Sequence, residues 1–253
     1  MIIEQPAFFL RWLYPHALWR MDPSERAVYL TFDDGPIPEV TPWVLDVLDR
    51  YGVKATFFMV GDNIRKHPAE FEMVKARGHR LGNHTFNHIS GHLHGIGSYV
   101  RNVEQANQYL HTDLFRPPHG WMKWKQYFAI LRHYKVVMWD VVTRDYSKRL
   151  NADEVFANVR RYARPGSIIT FHDSLKSIDK LRNPSSGCCP KAIPLRSSIE
   201  DVSGEIVHFV GSAPAQPLYE AEMRLAFQAA RTGTAKVRTP LALLRRKVRA
   251  LAA

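Results

Sequence analysis

Three groups of carboxylate and imidazole side chains in this sequence have the composition of a hydrolytic metal site. Asp33 and Asp34 end an apolar stretch near the N-terminus. His84 and His88 stand four residues apart, and His172 ends a later apolar stretch. Two imidazoles and one carboxylate form a ligand set of catalytic zinc, which keeps an open position for water. In such a site one of the adjacent carboxylates binds the cation, which offsets its charge, and the other is free to act as a base.

Each group also has an explanation without a metal ion. The Asp-Asp-Gly-Pro sequence at 33–36 suits a turn. The histidine pair suits a solvated helical turn, because residues four apart share one face of a helix. The His172–Asp173 pair suits a helix cap after a strand. The metal-site interpretation therefore depends on a fold that brings all three groups together.

The pattern between Ala27 and Arg182 predicts such a fold. Short apolar runs alternate with amphipathic ones, which favours a parallel sheet, either open or closed into a barrel. Both architectures place their sites at the carboxyl ends of strands, where the three groups fall. Asn151 followed by Glu154 predicts a capping box at the start of the last helix. The predicted strands are 27–32, 55–60, 79–82, 114–116, 136–140 and 167–171, and the predicted helices are 41–51, 68–76, 98–110, 123–133 and 152–163.

Four motifs resemble, in the same order, those of the polysaccharide deacetylases, carbohydrate esterase family 4. They are TFDDGP at 31–36, HTFNH at 84–88, RPPHG at 116–120 and FHD at 171–173. The resemblance implies an α/β fold, a distorted (β/α) barrel with fewer than eight strands. It also implies a hydrolase that removes acetyl groups from N-acetylated poly- or oligosaccharides. The implied cofactor is a divalent metal ion, zinc in the first place, with cobalt, nickel and manganese as alternatives.

The resemblance also implies roles for individual residues. Asp34, His84 and His88 would bind the metal. Asp33 would be the general base that takes a proton from the attacking water, and His172 would be the general acid for the departing amine. Amide hydrolysis needs both, because amines leave only when they are protonated. The other implied assignments are Arg116 and Asp145 as catalytic partners of Asp33 and His172, the backbone N–H of His119 as an oxyanion donor, and Pro118, Trp139 and Tyr146 as substrate contacts.

Some positions depart from the family pattern. His119 stands where tyrosine is usual, and we expect activity to survive because the implied contribution is a backbone N–H. Val142 replaces the first aspartate of the fourth motif, so Asp145 is the predicted partner of His172, with Asp140 as the weaker candidate. The remaining departures, which concern substrate preference, are Tyr146 and Thr170.

Composition excludes several other classes of protein. The 253 residues are 45% hydrophobic, and no apolar run reaches the length of a membrane span. Six of the eleven net positive charges lie within 236–249, so the charge does not indicate a nucleic-acid surface. Adjacent Cys188 and Cys189 do not suit a disulfide framework. We see no secretory signal and therefore predict a cytoplasmic protein, with peripheral membrane association as an open alternative.

Three regions follow from these patterns. Residues 1–26 form an aromatic-rich N-terminal extension, which would either cover the end of the core or lie on a membrane surface. Residues 27–182 form the deacetylase-like domain. Residues 183–253 form an atypical basic tail, either disordered or derived from a frameshift near Asn183, which would leave the barrel incomplete at its C-terminus. The alternative functions are an O-acetyl esterase, a non-sugar amidohydrolase, or a catalytically silent carbohydrate-binding protein; the oligomeric state is left open.

Overall fold

The computed structural model describes residues 4–25 and 27–177 of the chain. Within these residues strands and helices alternate along the chain, as the sequence predicts. The strands are β1 (Tyr29–Asp33), β2 (Thr56–Met59), β3 (Arg80–Asn83), β4 (Leu114–Phe115), β5 (Lys135–Val136), β6 (Val141–Val142) and β7 (Ile168–His172). The helices are α1 (Phe8–Leu13), α2 (Thr41–Arg50), α3 (Gly61–Lys66), α4 (Pro68–Ala76), α5 (Ile96–Leu110), α6 (Trp124–Ile130) and α7 (Ala152–Tyr162).

The strands of this part of the chain form one parallel seven-stranded sheet in the order β5-β4-β3-β2-β1-β7-β6. The sheet curls into a half-barrel and packs against helices. This confirms the predicted fold, a distorted (β/α) barrel with fewer than eight strands. Strand β1 lies between β2 and β7, and its register pairs Asp33 with Phe58 on one side and with His172 on the other. Strand β3 pairs Asn83 with Met59. The residues that follow β1, β3 and β7 therefore emerge at the same edge of the sheet.

The core beneath this edge is aromatic and aliphatic. Phe32 of β1 stacks between Phe57 and Phe171, with ring centroids 5.0 Å and 5.6 Å apart. Helix α2 covers this side of the sheet with an apolar face that includes Val44 and Leu48, both fully buried. Burying one such side chain contributes about 1.5–3 kcal/mol, so strand β1 is held firmly at the end where Asp33 and Asp34 stand.

The N-terminal segment contacts the sheet near β5 at one edge and near β7 toward the other edge. Leu18 pairs with Val137 beyond β5, and Arg20 pairs with Ser167 just before β7. Tyr14 is fully buried, and its hydroxyl donates to the carbonyl of Met122 at 2.7 Å. Tyr14 and Trp19 thus cover the core, whereas Phe9 and Trp12 are exposed. Within the described residues, no helix has the length and apolar character needed to cross a bilayer.

The predicted strand 136–140 is wrong, because β5 ends at Val136 and β6 begins only at Val141. Val137 and Asp140 still donate to Phe115 of β4 and Ile168 of β7, but the groups around Met138 bond outside the sheet. Met138 donates its N–H to Leu18, and the guanidinium of Arg116 takes the carbonyls of Val137 and Met138. These groups are thus satisfied without a neighbouring strand.

Other sequence predictions fare differently. The capping box is confirmed, since Asn151 Oδ1 accepts from the N–H of Glu154 at 2.9 Å and Glu154 Oε2 accepts from the N–H of Asn151 at 2.8 Å. Helices α1 and α3 were not predicted. The basic tail at 183–253 and the completeness of the barrel at its C-terminus lie outside the described residues.

Candidate active site

The edge at the carboxyl ends of the strands brings the predicted metal ligands together. Asp34 Oδ1 lies 3.2 Å from His88 Nε2 and 3.7 Å from His84 Nε2. Candidate ligand atoms of the three residues all lie within 4.8 Å of one another. One nitrogen from each imidazole and one carboxylate oxygen thus face a common point, a donor set that suits zinc and its neighbours in the first transition row.

The histidine pair reaches this point through a loop, and the interpretation of 84–88 as a helical turn is wrong. Thr85 and His88 have positive φ values of 64° and 52°. The N–H of Thr85 donates to Asn83 Oδ1 at 2.9 Å, which fixes the start of the loop at the end of β3. The imidazole centroids of His84 and His88 are 5.1 Å apart. Two residues in the left-handed region turn the chain sharply enough to bring both rings to one side.

His84 is oriented and kept neutral for a metal ion. Its Nδ1 donates to the carbonyl of Arg116 at 2.8 Å, since a carbonyl oxygen can only accept. The lone pair of Nε2 is then directed toward Asp34. Burial lowers the pKa of His84 to about 4, although the carboxylate of Asp33 opposes that change. The ring is therefore in the unprotonated form that a metal requires at neutral pH.

Asp34 is held as a carboxylate. Burial disfavours its charge, but the contact with His88 and the nearby imidazoles of His172 and His84 keep its pKa well below the usual range. The backbone at Asp34 has a φ of 82°, a conformation in which a residue other than glycine is strained. The side chain of Asn63 donates to the Asp34 carbonyl at 2.8 Å and fixes this conformation.

Asp33, the neighbour of Asp34, is bound by a buried arginine. Arg116 is fully buried, and its Nη1 donates to Asp33 Oδ1 at 2.6 Å and to Thr31 Oγ1 at 2.8 Å. Nε and Nη2 of Arg116 donate to the carbonyls of Val137 and Met138, at 3.2 Å and 2.8 Å. Because the fork of Arg116 is held from several directions, it fixes the position of the Asp33 carboxylate.

His172 forms the third part of the site with Asp145. Its Nδ1 donates to Asp145 Oδ1 at 2.7 Å, and its backbone N–H donates to Asp145 Oδ2 at 2.7 Å. Burial disfavours a charged ring, but the carboxylates of Asp145, Asp34 and Asp33 outweigh it and raise the pKa of His172 to about 9. The edge of the Tyr146 ring lies against this imidazole, with centroids 4.6 Å apart. The raised pKa favours the imidazolium form of His172 at neutral pH.

Asp140, the weaker candidate partner of His172, has other contacts. It accepts hydrogen bonds from Arg11 at 3.0 Å, from Arg164 at 2.8 Å and from the Ser167 hydroxyl at 2.7 Å. It ties the N-terminal segment to the start of β7, which is the end of that strand opposite the site. Between the two candidates, the structure brings Asp145 to His172.

Comparisons with known proteins identify this arrangement. A family profile described as polysaccharide deacetylase matches residues 20–127. The peptidoglycan-N-acetylglucosamine deacetylase of Bacillus cereus is 34% identical over 181 residues, which cover 64% of this chain and 62% of that protein. The chitooligosaccharide deacetylase of Sinorhizobium fredii is 36% identical over 178 residues, which cover 67% of this chain and 82% of that protein. The chain belongs to the polysaccharide deacetylase family.

Solved structures of this family have the same fold. The Bc1960 peptidoglycan N-acetylglucosamine deacetylase, in complex with 4-naphthalen-1-yl-N-oxidanyl-benzamide, is 30% identical, with a TM-score of 0.63. The similarity covers 69% of this chain and 86% of that one. The polysaccharide deacetylases, carbohydrate esterase family 4, are hydrolases that act on carbon–nitrogen bonds. The chain spans about three fifths of the length of the B. cereus relative, 62%.

The other residues that the deacetylase resemblance singled out lie around the candidate ligands. The ring of His119 stands 4.8 Å from that of His88, and its backbone has a φ of 59°. Trp139 packs beneath Gly120, where a Cβ would lie 2.2 Å from the indole, and its ring centroid is 6.4 Å from that of Trp19. The remaining two are Pro118, which is buried, and Tyr146, which is partly exposed beside His172.

Sequence reasoning missed a second layer of residues behind the site. Asp173 is fully buried, and its Oδ2 accepts from Thr41 Oγ1 at 2.6 Å. The same hydroxyl accepts from the N–H of Ile37 at 2.7 Å, so it fixes the turn after Asp34. Burial raises the pKa of Asp173 to about 7. Asn63 was missed as well, although its position just after β2 satisfies the strand-end criterion that found the other site residues.

Proposed function

We propose that this protein is a metal-dependent deacetylase of N-acetylated poly- or oligosaccharides. One geometric observation carries the proposal: candidate ligand atoms of Asp34, His84 and His88 lie within 4.8 Å of one another, and His172, hydrogen-bonded to Asp145, is paired with Asp33 in the adjacent strand. Amide hydrolysis needs a group that binds a Lewis acid and a group that delivers a proton, and this arrangement provides one of each.

The metal would be bound by Asp34, His84 and His88. When bound there, a divalent ion would polarise the acetyl carbonyl and lower the pKa of water. Two imidazole nitrogens and one oxygen suit zinc, with cobalt, nickel and manganese as alternatives, because donor type alone does not select among these ions.

The residues of this chain would perform the proton transfers. Asp33, held by Arg116, would take a proton from the attacking water as the water oxygen bonds to the acetyl carbon. The backbone N–H of His119 would donate to the carbonyl oxygen as it gains negative charge. His172 would give a proton to the sugar nitrogen as the carbon–nitrogen bond breaks, leaving acetate and a free amino group. Asp145 would stabilise the imidazolium before this transfer.

The charged state of His172 favours an amide over an ester. An amine leaves only after protonation, whereas an alcohol leaves more readily, so a proton donor with a raised pKa matches an N-acetyl group. The names of the relatives point in the same direction, since one is a peptidoglycan-N-acetylglucosamine deacetylase and the other a chitooligosaccharide deacetylase. We therefore propose N-acetylglucosamine polymers or oligomers as the substrate class, ahead of O-acetyl esters and small non-sugar amides.

An acetate-release assay tests the proposal. The protein is stripped with a chelator and then supplied separately with zinc, cobalt, nickel or manganese. We expect metal-restored release of acetate from N-acetylglucosamine oligomers and much slower release from O-acetylated xylan. Faster release from xylan would favour the esterase, and metal-loaded, folded protein that binds the oligomers without cleaving any acetylated compound would favour the silent binding protein.

A further inference from the structure

The surface on the outside of α1 and α6 exposes an unusual number of aromatic side chains. Trp12 is 74% exposed and Trp124 is 56% exposed. Phe9, Trp121 and Phe128 are each exposed by 44–46%. We call the four of these residues that lie on α1 and α6, namely Phe9, Trp12, Trp124 and Phe128, the aromatic face. Single exposed apolar residues are common, but large aromatic groups gathered on one side of a protein indicate an interaction surface.

Contacts between the two elements make this face continuous. The indole N–H of Trp124 donates to the carbonyl of Leu13 at 2.7 Å, which brings α6 against the end of α1. The rings of Trp124 and Phe128 are in edge contact, with centroids 5.7 Å apart. The backbone N–H of His16 donates to the Tyr127 hydroxyl at 2.8 Å from the adjacent loop. The aromatic face is thus built on rigidly joined elements.

The two segments that form the aromatic face, 5–21 and 114–139, carry charges of one sign, since they contain no aspartate and no glutamate. Among the acids that contact them, Glu104 and Asp113 bond to Tyr134 and Lys135, near the end of the second segment. Lys123, Lys125 and Arg132 are exposed on or beside α6. Exposed aromatic rings with cations and without acids among them have the chemistry of a surface that inserts between lipid headgroups and attracts anionic lipids.

We propose that the aromatic face binds the surface of a membrane that contains anionic lipids. The charge argues against other occupants. An uncharged N-acetylated polymer offers no partner to the cations, a deacetylated one carries ammonium groups that they repel, and a second copy of this chain would bring the same positive charge against itself. The occupant that complements both the rings and the cations is an anionic lipid surface.

Two double variants of the full chain separate the contributions of rings and charge. Trp12→Ser with Phe128→Ser removes exposed aromatic area but leaves the Trp124 hydrogen bond intact. Lys125→Gln with Arg132→Gln removes charge. Leu93→Ser with Tyr109→Ser is the matched control, because these residues are 79% and 38% exposed and belong to other elements. Thermal unfolding should be unchanged in all three, which confirms that each variant is folded.

Binding is measured by co-sedimentation with vesicles of phosphatidylcholine alone or with about one third phosphatidylglycerol. We expect the unmodified chain to bind the anionic vesicles, the aromatic variant to bind about tenfold less tightly, and the control to bind normally. The charge variant should lose the preference for phosphatidylglycerol. Tryptophan fluorescence should be quenched by brominated acyl chains in the unmodified chain, and less so in the aromatic variant.

Three results would overturn the proposal. The first is absence of binding to anionic vesicles. The second is equal loss of binding in the aromatic variant and the control. The third is a different occupant, shown either by binding to insoluble chitin or peptidoglycan, but not to vesicles, that the aromatic variant loses, or by a dimer in light scattering that the aromatic variant abolishes.

Discussion

His84, which is buried, and His172, which is partly buried, stand at the carboxyl ends of strands in one sheet, and both face Asp34. Burial lowers the pKa of His84 to about 4, whereas the carboxylates around His172 overcome burial and raise its pKa to about 9. The difference lies in what each Nδ1 contacts. His84 donates to the carbonyl of Arg116, a neutral acceptor, and His172 donates to the carboxylate of Asp145. The partner behind the ring therefore decides whether a histidine in this site is suited to bind a metal or to carry a proton.

We call Asp34, His84 and His88 the ligand side of the site, and His172 with Asp145 the acid side. Asp33 lies between them, paired with His172 in the sheet and bound by Arg116. If the two sides have separate roles, changes on one side should affect metal content and changes on the other should affect the pH dependence of catalysis. The following predictions test that separation.

The largest effect is expected on the ligand side. His84→Ala should lose both the metal and deacetylase activity, because it removes one of three ligands. Asp33→Asn should keep the metal but lower kcat by about 10³-fold, because it removes only a base. Metal content by mass spectrometry and acetate release distinguish the two variants. Equal metal loss in both would show that the adjacent carboxylates do not have separate roles.

The next effect concerns the arginine between the two sides. Arg116→Met should lower the free energy of unfolding by about 3–5 kcal/mol, because it leaves the buried Asp33 carboxylate without its partner. Denaturant unfolding of the metal-free protein measures this change. The double variant Arg116→Met with Asp33→Asn should recover part of the loss, since no unpaired charge remains. A double variant less stable than Arg116→Met would mean that the arginine acts mainly through its bonds to the backbone.

A smaller effect is expected on the acid side. Asp145→Asn removes the carboxylate that raises the pKa of His172, so that pKa should fall from about 9 toward its ordinary value. A general acid acts in its protonated form, so the alkaline limb of kcat/KM should move to lower pH. Rates near pH 8 should fall about tenfold, with metal content unchanged. An unshifted alkaline limb would remove His172 from the role of general acid.

The last prediction concerns pH-dependent stability and Asp173, behind the turn that carries Asp34. The pKa of Asp173 is raised to about 7 in the folded chain, so folding favours its protonated form. Its contribution to stability is present below its unfolded pKa and is lost as the pH rises through about 7. Asp173→Asn should remove this loss, so on going from about pH 5 to about pH 8 it should lose about 2–3 kcal/mol less stability than the unmodified chain. Identical pH dependence in the two proteins would contradict the prediction.

Sequence reasoning succeeded where one local pattern determined the outcome. The alternation of strands and helices, the capping box at Asn151 and the strand-end positions of Asp33, Asp34 and His172 are all consequences of short segments. It failed at 136–140 and at 84–88, where the backbone conformation depends on distant partners. Arg116 and Leu18 satisfy the first stretch, and positive φ values at Thr85 and His88 shape the second.

Gly35 shows how a correct prediction can have a different reason. The sequence explains this glycine as a turn former, but a Cβ there would lie 2.2 Å from Asp173 Oδ2. The glycine is thus required because the carboxyl group of Asp173, the residue after β7, approaches closely. Asp173 lies 138 residues later in the chain, the difference of the two residue numbers. The sequence contains no local sign of that contact.

The sequence alone determined which chemical groups are available and at which strand ends they stand, because strand periodicity and turn residues act over a few positions. The tertiary structure decided which of those groups are charged. Protonation depends on burial and on the nearest acceptor, and for His84 and His172 those acceptors lie 32 and 27 residues away in the chain. The division of the site into a ligand side and an acid side therefore arises only when the sheet is assembled.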